Sequence, residues 1–425
     1  MDAETSPIQE FYGCLVLLRL LTPNRSSIQP DKPSAIRVPK RNKWHVFLDS
    51  LAWLADHKCG GKTVTAVAVG LSSTGPIYWI VSQSPIDPEV LRHVQKVLVD
   101  LSHESPPNTS SPLDLIRQIA RDSIEISGLR VRNYGQRLKA IVAAVDAKEP
   151  LVALDEGERQ HLKSFLNLSR DPDRLIDLSL KLKRSRLLKR LHHLIQASEE
   201  KALWVEVRHL LGRLCSWVRA ATRLVLTCQR FRDRIRNARV EPVDLTSIGT
   251  FSFQLPWHEP VDILRELMPE FHGSRLRDAL HARQNDKMVG QILRCLSTME
   301  RGRFHTDLHV EVILLRHFHL RRLDFIADDR YIGCSKPSCY CCDLYLRSHP
   351  VGVQPRRSHG NVWIKWATPL FSGVPTADEV LVLQDIVNTV KSDLRFQIIS
   401  SPTLTRRPPD STTGLESTNP LSSLD

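Results

Sequence analysis

Two short motifs hold the residues of this chain that are best suited to chemistry. His-Val-Glu occupies 309–311, and Cys-Tyr-Cys-Cys occupies 339–342. A catalytic zinc ion takes three protein ligands and keeps a fourth position open for water. His309 offers a ring nitrogen, while Cys339 and Cys342 offer two thiols about one helical turn apart. The spacing therefore predicts a zinc ion, Zn2+, held by these three residues.

Glu311 is a carboxylate that this zinc site does not need as a ligand, so we expect it to transfer protons during catalysis. Residues two apart in mid-helix point about 200° from each other. His309 and Glu311 can therefore face one site only at a helix end, and Thr306 or Asp307 is the predicted N-cap that places them there.

The alternative to a catalytic site is a structural zinc knuckle, and a chain without metal is a further possibility. The knuckle would use four ligands. Its candidates are Cys334, Cys339, Cys341, Cys342, His305 and His349. The knuckle is disfavoured because a second, paired knuckle is missing and Glu311 would have no role. We interpret Cys334 and Cys341 as bystanders, since Cys341 points about 100° away from the ligands on the same helix. His317 and His319 are expected to be surface or packed residues.

The order His-x-Glu, then Pro, then Cys-x-x-Cys resembles the nucleic acid/nucleotide deaminase superfamily. The longer run at 331–342, followed by Ser-His-Gly-Asn-Val-Trp at 358–363, is similar to the OTT-type deaminases, a mainly fungal family. The resemblance spans 305–370. It implies a zinc-dependent hydrolytic deaminase that releases ammonia from a cytosine-like or adenine-like base. That base would belong to a free nucleobase, nucleoside or nucleotide, or to a polynucleotide.

Two positions depart from the superfamily pattern. Ser338 separates the proline from the first cysteine. Many superfamily members hold the nucleoside with an asparagine after the second hairpin strand, where this chain has Ser82-Gln83-Ser84. Gln83 is a candidate replacement, and the substrate-binding residues stay open.

The hydrophobic pattern predicts an α/β fold. A helix is expected over 44–57, followed by a β-hairpin with strands at 63–69 and 77–81 whose faces are both covered. Residues 87–299 read as mainly helical. The last third predicts, in order, a helix at 307–322, a strand ending at 333, a helix to 347, a strand at 361–366 and a helix at 377–394.

The resemblance implies a three-layer deaminase-like core with a mixed sheet, split by a large α-helical insertion. The core would combine 44–90 with 300–398, and the insertion would be 91–299. An N-terminal segment at 1–43, flexible over 22–40, precedes them. A disordered tail at 399–425 follows.

The formal charge of +12 suits polyanionic partners such as nucleic acid. Trp363, Lys365 and Trp366 would suit a single strand, although Trp363 is expected to be core. The basic stretch at 181–190 is interpreted as the solvated face of an amphipathic helix. A nucleobase-containing substrate is the expected partner, and the oligomeric state is left open.

The apolar run at 11–21 is too short to span a bilayer and lacks the features of a signal peptide. We therefore expect no membrane partner and an intracellular protein, cytoplasmic or nuclear. The alternative function is a catalytically silent, zinc-stabilised module of the same fold that binds protein or nucleic acid.

Overall fold

The computed structural model describes residues 6–21, 42–103, 111–148, 154–167, 171–244, 251–271, 287–302, 304–371 and 376–400. These residues form sixteen α-helices and six β-strands. The helices are α1 (Pro7–Leu21), α2 (Lys43–Ala55), α3 (Pro88–Ser102), α4 (Pro112–Ile126), α5 (Gly128–Lys148), α6 (Glu156–Leu166), α7 (Pro172–Arg184), α8 (Leu187–Ala197), α9 (Lys201–Leu214), α10 (Ser216–Cys228), α11 (Arg232–Ile235), α12 (Pro260–Leu267), α13 (Lys287–Glu300), α14 (Val310–Arg321), α15 (Tyr340–Ser348) and α16 (Ala377–Ser400). The strands are β1 (Thr65–Ser72), β2 (Gly75–Ser82), β3 (Arg239–Pro242), β4 (Phe251–Phe253), β5 (Phe304–Thr306) and β6 (Gly333–Cys334).

The described residues fall into two compact units. The first unit takes its described residues from 6–21, 243–332 and 337–400, and the second takes them from 42–242 and 333–336. The predicted boundaries at 44–90, 91–299 and 300–398 stay a prediction. The predicted flexible connection at 22–40 and the tail beyond 400 lie outside the described residues. Residues 399 and 400, predicted to be disordered, are helical.

The second unit contains a four-stranded mixed sheet, and the α/β fold class is confirmed. Its strand order is β3-β2-β1-β6. The predicted hairpin forms, with β1 and β2 antiparallel from the Thr65–Ser82 pair to the turn after Ser72. Strand β6 pairs antiparallel with β1, and β3 pairs parallel with β2. Residues 66–69 are buried on both faces of β1, as their apolar pattern predicts.

A glycine allows α2 to lie directly against β6. A Cβ atom on Gly333 would come within 2.6 Å of the backbone carbon of Leu48, so only glycine fits at this crossing. The N–H of Cys334 donates to Asp49 Oδ1 at 3.1 Å and ties β6 to the same helix. The strand that leads into the cysteine motif is therefore held by both α2 and β1.

The helices between β2 and β3 bury one apolar face each, as the leucine spacing predicts. Leu182, Leu187 and Leu191 are buried, while Lys181 and Lys189 are exposed. The basic stretch at 181–190 therefore includes the solvated face of amphipathic helices.

Two arginines are buried together in the second unit. Arg130 pairs with the carboxylate of Asp56 at 3.3 Å and also donates to the Asp56 carbonyl. The guanidinium of Arg213 lies 4.0 Å from the ring centroid of Trp53. Both arginines donate to the hydroxyl of Tyr134. Asp56 thus supplies the counter-charge for a buried cationic cluster.

The first unit surrounds the two motifs with helices. Helix α1 packs against α12 and α16, and α15 packs against α14 and α16. Strand β5 ends three residues before His309 and pairs antiparallel with β4. No helix among the described residues is long and apolar enough to cross a membrane.

The predicted strand at 361–366 is wrong. The N–H of Trp366 donates to the carbonyl of Trp363 at 3.1 Å and closes a turn instead. Trp366 is fully buried, whereas Trp363 is 37% exposed, so the expectation that Trp363 is core is also wrong. Gly360, with φ of +56°, precedes this turn in a left-handed conformation that a strand does not use. The other strand predicted in the last third, which ends at 333, lies closer to the structure, since β6 begins at 333.

Candidate metal centre

His309 lies at the N-terminus of α14, where it is itself the N-cap residue with extended backbone dihedrals. The predicted N-cap at Thr306 or Asp307 is wrong. Asp307 is held in extended form, because its N–H donates to the Lys365 carbonyl at 2.8 Å and its carbonyl accepts from Ala367 at 2.9 Å. The helix therefore cannot begin at Asp307, and it begins with His309 as its N-cap. Both residues still lie at the helix end, as expected, with His309 at the N-cap and Glu311 in the first turn.

Cys339 is the N-cap of α15, and its sulfur accepts a hydrogen bond from the N–H of Cys342 at 3.4 Å. A serine or aspartate oxygen usually plays this capping part. The preceding Ser338 is held by its N–H to the Arg357 carbonyl at 2.9 Å and by its carbonyl from His359 at 3.0 Å. Each ligand-bearing helix thus begins at a candidate ligand whose backbone is fixed by a neighbouring loop.

The structure brings His309, Cys339 and Cys342 together. Their ligand atoms all lie within 4.8 Å of one another. His309 Nδ1 lies 3.4 Å from Cys339 Sγ and 3.3 Å from Cys342 Sγ. Tetrahedral zinc with ordinary Zn–N and Zn–S bonds separates such N and S atoms by about 3.5 Å. The group could therefore hold a metal ion, and its spacing and donor set fit zinc.

Burial and mutual charge shape the ionisation of these ligands. Burial acts to raise the pKa of Cys339, but the hydrogen bond from Cys342 and the charge of His309 lower it to about 5. Burial and the neighbouring Cys339 raise the pKa of Cys342 well above its ordinary value. Burial lowers the pKa of His309, and the charges of Cys339 and Glu311 outweigh burial and raise it. A bound dication deprotonates a coordinating thiol outright, so Cys342 can serve as a second thiolate.

Glu311 lies beside the ligand group and is held by a buried cation. Its Oε2 atom is 3.8 Å from Cys342 Sγ, and its Oε1 atom is 3.7 Å from Arg356 Nη1. Glu311 and Arg356 are 4% and 3% exposed. Arg356 also lies 5.8 Å from the ring centroid of Tyr331. One carboxylate oxygen therefore faces the ligands while the other faces a guanidinium, which orients the group without making it a ligand.

Trp366 supports the ligands from behind. Its indole N–H donates to Cys342 Sγ at 3.3 Å, and its backbone carbonyl accepts from the hydroxyl of Tyr12 at 2.8 Å. Partners of this kind orient metal ligands and tune their basicity. Sequence reasoning missed the roles of Arg356 and Trp366, since no spacing rule links either residue to the two motifs.

The remaining candidate ligands of the knuckle do not join the group. Among the described residues, only His309, Cys339 and Cys342 form a group of three or more histidine, cysteine or carboxylate donors close enough to share a metal ion. His349 lies against His319 instead, with ring centroids 4.9 Å apart. Burial lowers the pKa of His317 to about 4, consistent with its prediction as a packed residue.

Residues 308–370 match the model of a family described as OTT_1508_deam-like deaminase. This match confirms the resemblance to deaminases over the segment that contains all four predicted site residues. Neither the curated proteins nor the solved structures yielded a match to the chain.

Proposed function

We propose that this protein is a zinc-dependent hydrolytic deaminase acting on a nucleobase, free or within a nucleoside, nucleotide or polynucleotide. One observation carries the proposal. A His/Cys/Cys group with zinc-compatible spacing lies beside a carboxylate that is not part of it, in a segment similar to deaminases. A structural site would not need that extra carboxylate.

His309, Cys339 and Cys342 would hold the zinc ion. When bound in such a site, zinc lowers the pKa of water and so supplies a nucleophile at neutral pH. The reaction breaks a C–N bond of an amidine-like ring and forms a C–O bond, with water as the source of oxygen and ammonia as the leaving group.

Glu311 performs the proton transfers in this proposal. Its Oε2 atom, which faces the ligands, accepts a proton and returns it to the leaving amino group. Arg356 holds Oε1 and so keeps Oε2 directed at the ligand group. Because the helix starts at His309, the carboxylate projects from the first turn of α14 towards the ligands rather than away from them.

The test is ammonia release by zinc-loaded protein from a panel of nucleosides, nucleotides, single-stranded DNA and RNA. Glu311→Gln is the matched control, because it keeps the shape of the side chain and leaves the three ligands intact. We expect the control to retain zinc, measured as metal per chain, and to lose turnover by about 10²- to 10⁴-fold. Turnover that survives in Glu311→Gln would refute the proposed role.

The buried pair of Glu311 and Arg356 favours a second candidate. A carboxylate that is paired with a buried cation also suits a catalytically silent module, stabilised by zinc, that binds protein or nucleic acid. Under that reading the zinc-loaded protein releases no ammonia from any substrate of the panel. Removal of zinc would then lower its stability and its partner binding together.

A further inference from the structure

A basic cavity of about 410 Å3 opens on the first unit, between α13, β5 and the turn at 363–366. Its polar lining consists of Gln291, Arg294, Thr298, His305 and Lys365, and Phe304 and Cys295 complete it. None of the carboxylates that the structure describes lines this cavity. Two permanent cations, a histidine and two uncharged hydrogen-bonding side chains match the needs of a phosphate group.

The two cations are available to a ligand. Arg294 and Lys365 are exposed, and neither makes an ion pair with any residue that the structure describes. Both charges act on the thiol of Cys295. Burial raises the pKa of this thiol, and the positive charges of Lys365 and Arg294 oppose that rise. Their positive charges therefore converge on one cavity rather than diverging over the surface.

The turn beside the cavity also presents an aromatic ring. Ile364 and Trp366 are buried, whereas Trp363 and Lys365 are exposed. The guanidinium of Arg19 lies 5.9 Å from the ring centroid of Trp363. An exposed aromatic ring flanked by cations is the arrangement on which single-stranded nucleic acid stacks its bases and neutralises its backbone.

The same turn is bonded to both ligand-bearing segments. The carbonyl of Lys365 accepts from the N–H of Asp307, two residues before His309. The indole of Trp366 donates to Cys342. A strand held by this turn would therefore be held by the same loop that supports the metal ligands.

We propose that the cavity of Arg294 and Lys365 binds a backbone phosphate of a single-stranded nucleic acid, and that Trp363 stacks on a neighbouring base. This inference rests on the proposed deaminase function and names its substrate class as a polynucleotide. A strand suits the surface better than a single nucleotide, because the exposed ring of Trp363 is not among the residues that line the cavity and can stack on a base of a further unit of the strand.

The experiment measures binding of fluorescently labelled single-stranded RNA and DNA by anisotropy over a range of salt concentrations. The double variant Arg294→Gln/Lys365→Gln is expected to lower affinity about tenfold or more, and to reduce the slope of log K against log salt by about 0.7, the value for one phosphate of a single strand. Trp363→Ala is expected to lower affinity about tenfold with an unchanged slope, because stacking releases no counterions.

Lys181→Gln/Lys189→Gln is the matched control, since it removes the same charge from two exposed lysines of α7 and α8. It should bind the oligonucleotides like the wild type. An equal loss in the control and the cavity variant would overturn the proposal, because net charge alone would then explain binding. Lys365→Arg keeps the positive charge and should retain most of the wild-type affinity. Circular dichroism should show that every variant remains folded.

Competition separates a strand site from a nucleotide site. Inorganic phosphate and nucleoside monophosphates should displace the oligonucleotide only at far higher concentrations than an unlabelled strand does. If phosphate or a nucleoside monophosphate displaced the oligonucleotide at the same concentration as the unlabelled strand does, the proposed strand site would be refuted. Binding is measured without turnover, so it is independent of the deaminase proposal. If the protein binds oligonucleotides through the cavity but releases no ammonia, only the deaminase proposal is overturned. If it deaminates a substrate and the double variant binds oligonucleotides normally, only the proposed cavity site is overturned.

Discussion

Trp366→Phe tests whether the indole N–H tunes the metal ligand it contacts. In the folded protein this N–H donates to Cys342 Sγ at 3.3 Å, and phenylalanine has no such donor. A hydrogen bond to a charged group contributes about 1.5–3 kcal/mol, which corresponds to about tenfold to hundredfold in an equilibrium constant. We therefore expect zinc affinity to fall by about that factor, the range found for partners that orient metal ligands.

The packing cost of this change is separable from its effect on zinc. Trp366 is fully buried, and its ring centroid lies 5.7 Å from that of Phe11 and 6.3 Å from that of Tyr345. A phenyl ring keeps part of these contacts, and the backbone carbonyl still accepts from Tyr12. The loss of stability should stay below the roughly 3–5 kcal/mol of truncating a buried aromatic residue to alanine.

Trp363→Phe is the control for the same chemical change on the same turn. Trp363 is 37% exposed and forms no bond to a ligand, so its variant should bind zinc like the wild type. Affinity is measured at neutral pH by competition with a chromophoric chelator, and stability by thermal unfolding of the apo protein. Equal zinc affinity in the two variants would refute the reasoning.

Three further predictions concern buried charge. Burial lowers the pKa of His93 to about 4, so the unfolded chain binds this proton below about pH 6.5 and the folded chain only below about pH 4. Stability should therefore fall by about 3 kcal/mol as pH drops through that window, and His93→Gln should flatten urea-unfolding profiles there; an unchanged profile would contradict the assignment. Arg356→Gln should keep zinc but lower turnover by about 10- to 100-fold, because Glu311 loses the cation that orients it, and Arg356→Lys should recover part of the rate. Unchanged kinetics in Arg356→Gln would count against that role. Asp56→Asn should lower the free energy of unfolding by about 3 kcal/mol, because it leaves Arg130 buried beside a neutral amide. A urea midpoint equal to that of the wild type would exclude this stabilising role of Asp56.

Local sequence patterns predicted much of the fold. The predicted hairpin at 63–81 forms because two runs rich in β-branched and aromatic residues are joined by a short turn, which favours antiparallel pairing. The helices after it follow the spacing of their leucines. The exact helix starts were less predictable, although Thr306 and Asp307 resemble N-caps in sequence. Pairing with β4 keeps Thr306 extended, and bonds to Lys365 and Ala367 keep Asp307 extended.

The segment at 361–366 shows the limit of a local pattern. The segment is rich in β-branched and aromatic residues whether the chain continues as a strand or closes a turn, and Ile364 and Trp366 are buried in the turn that forms. The bond between Trp366 and Trp363 and the left-handed conformation of Gly360 distinguish the turn from a strand. The error mattered, because the turn exposes Trp363 and places Lys365 at the basic cavity.

The sequence by itself determined the identity of His309, Glu311, Cys339 and Cys342 as a candidate site, because ligand chemistry depends on residue type and short spacing. The tertiary structure decided which side chains surround them. Arg356 and Trp366 reach the site through loops that follow α15, and no periodicity in the sequence encodes such contacts. A buried guanidinium against Glu311 and an indole against Cys342 are products of packing between distant segments, and packing is a property of the folded chain alone.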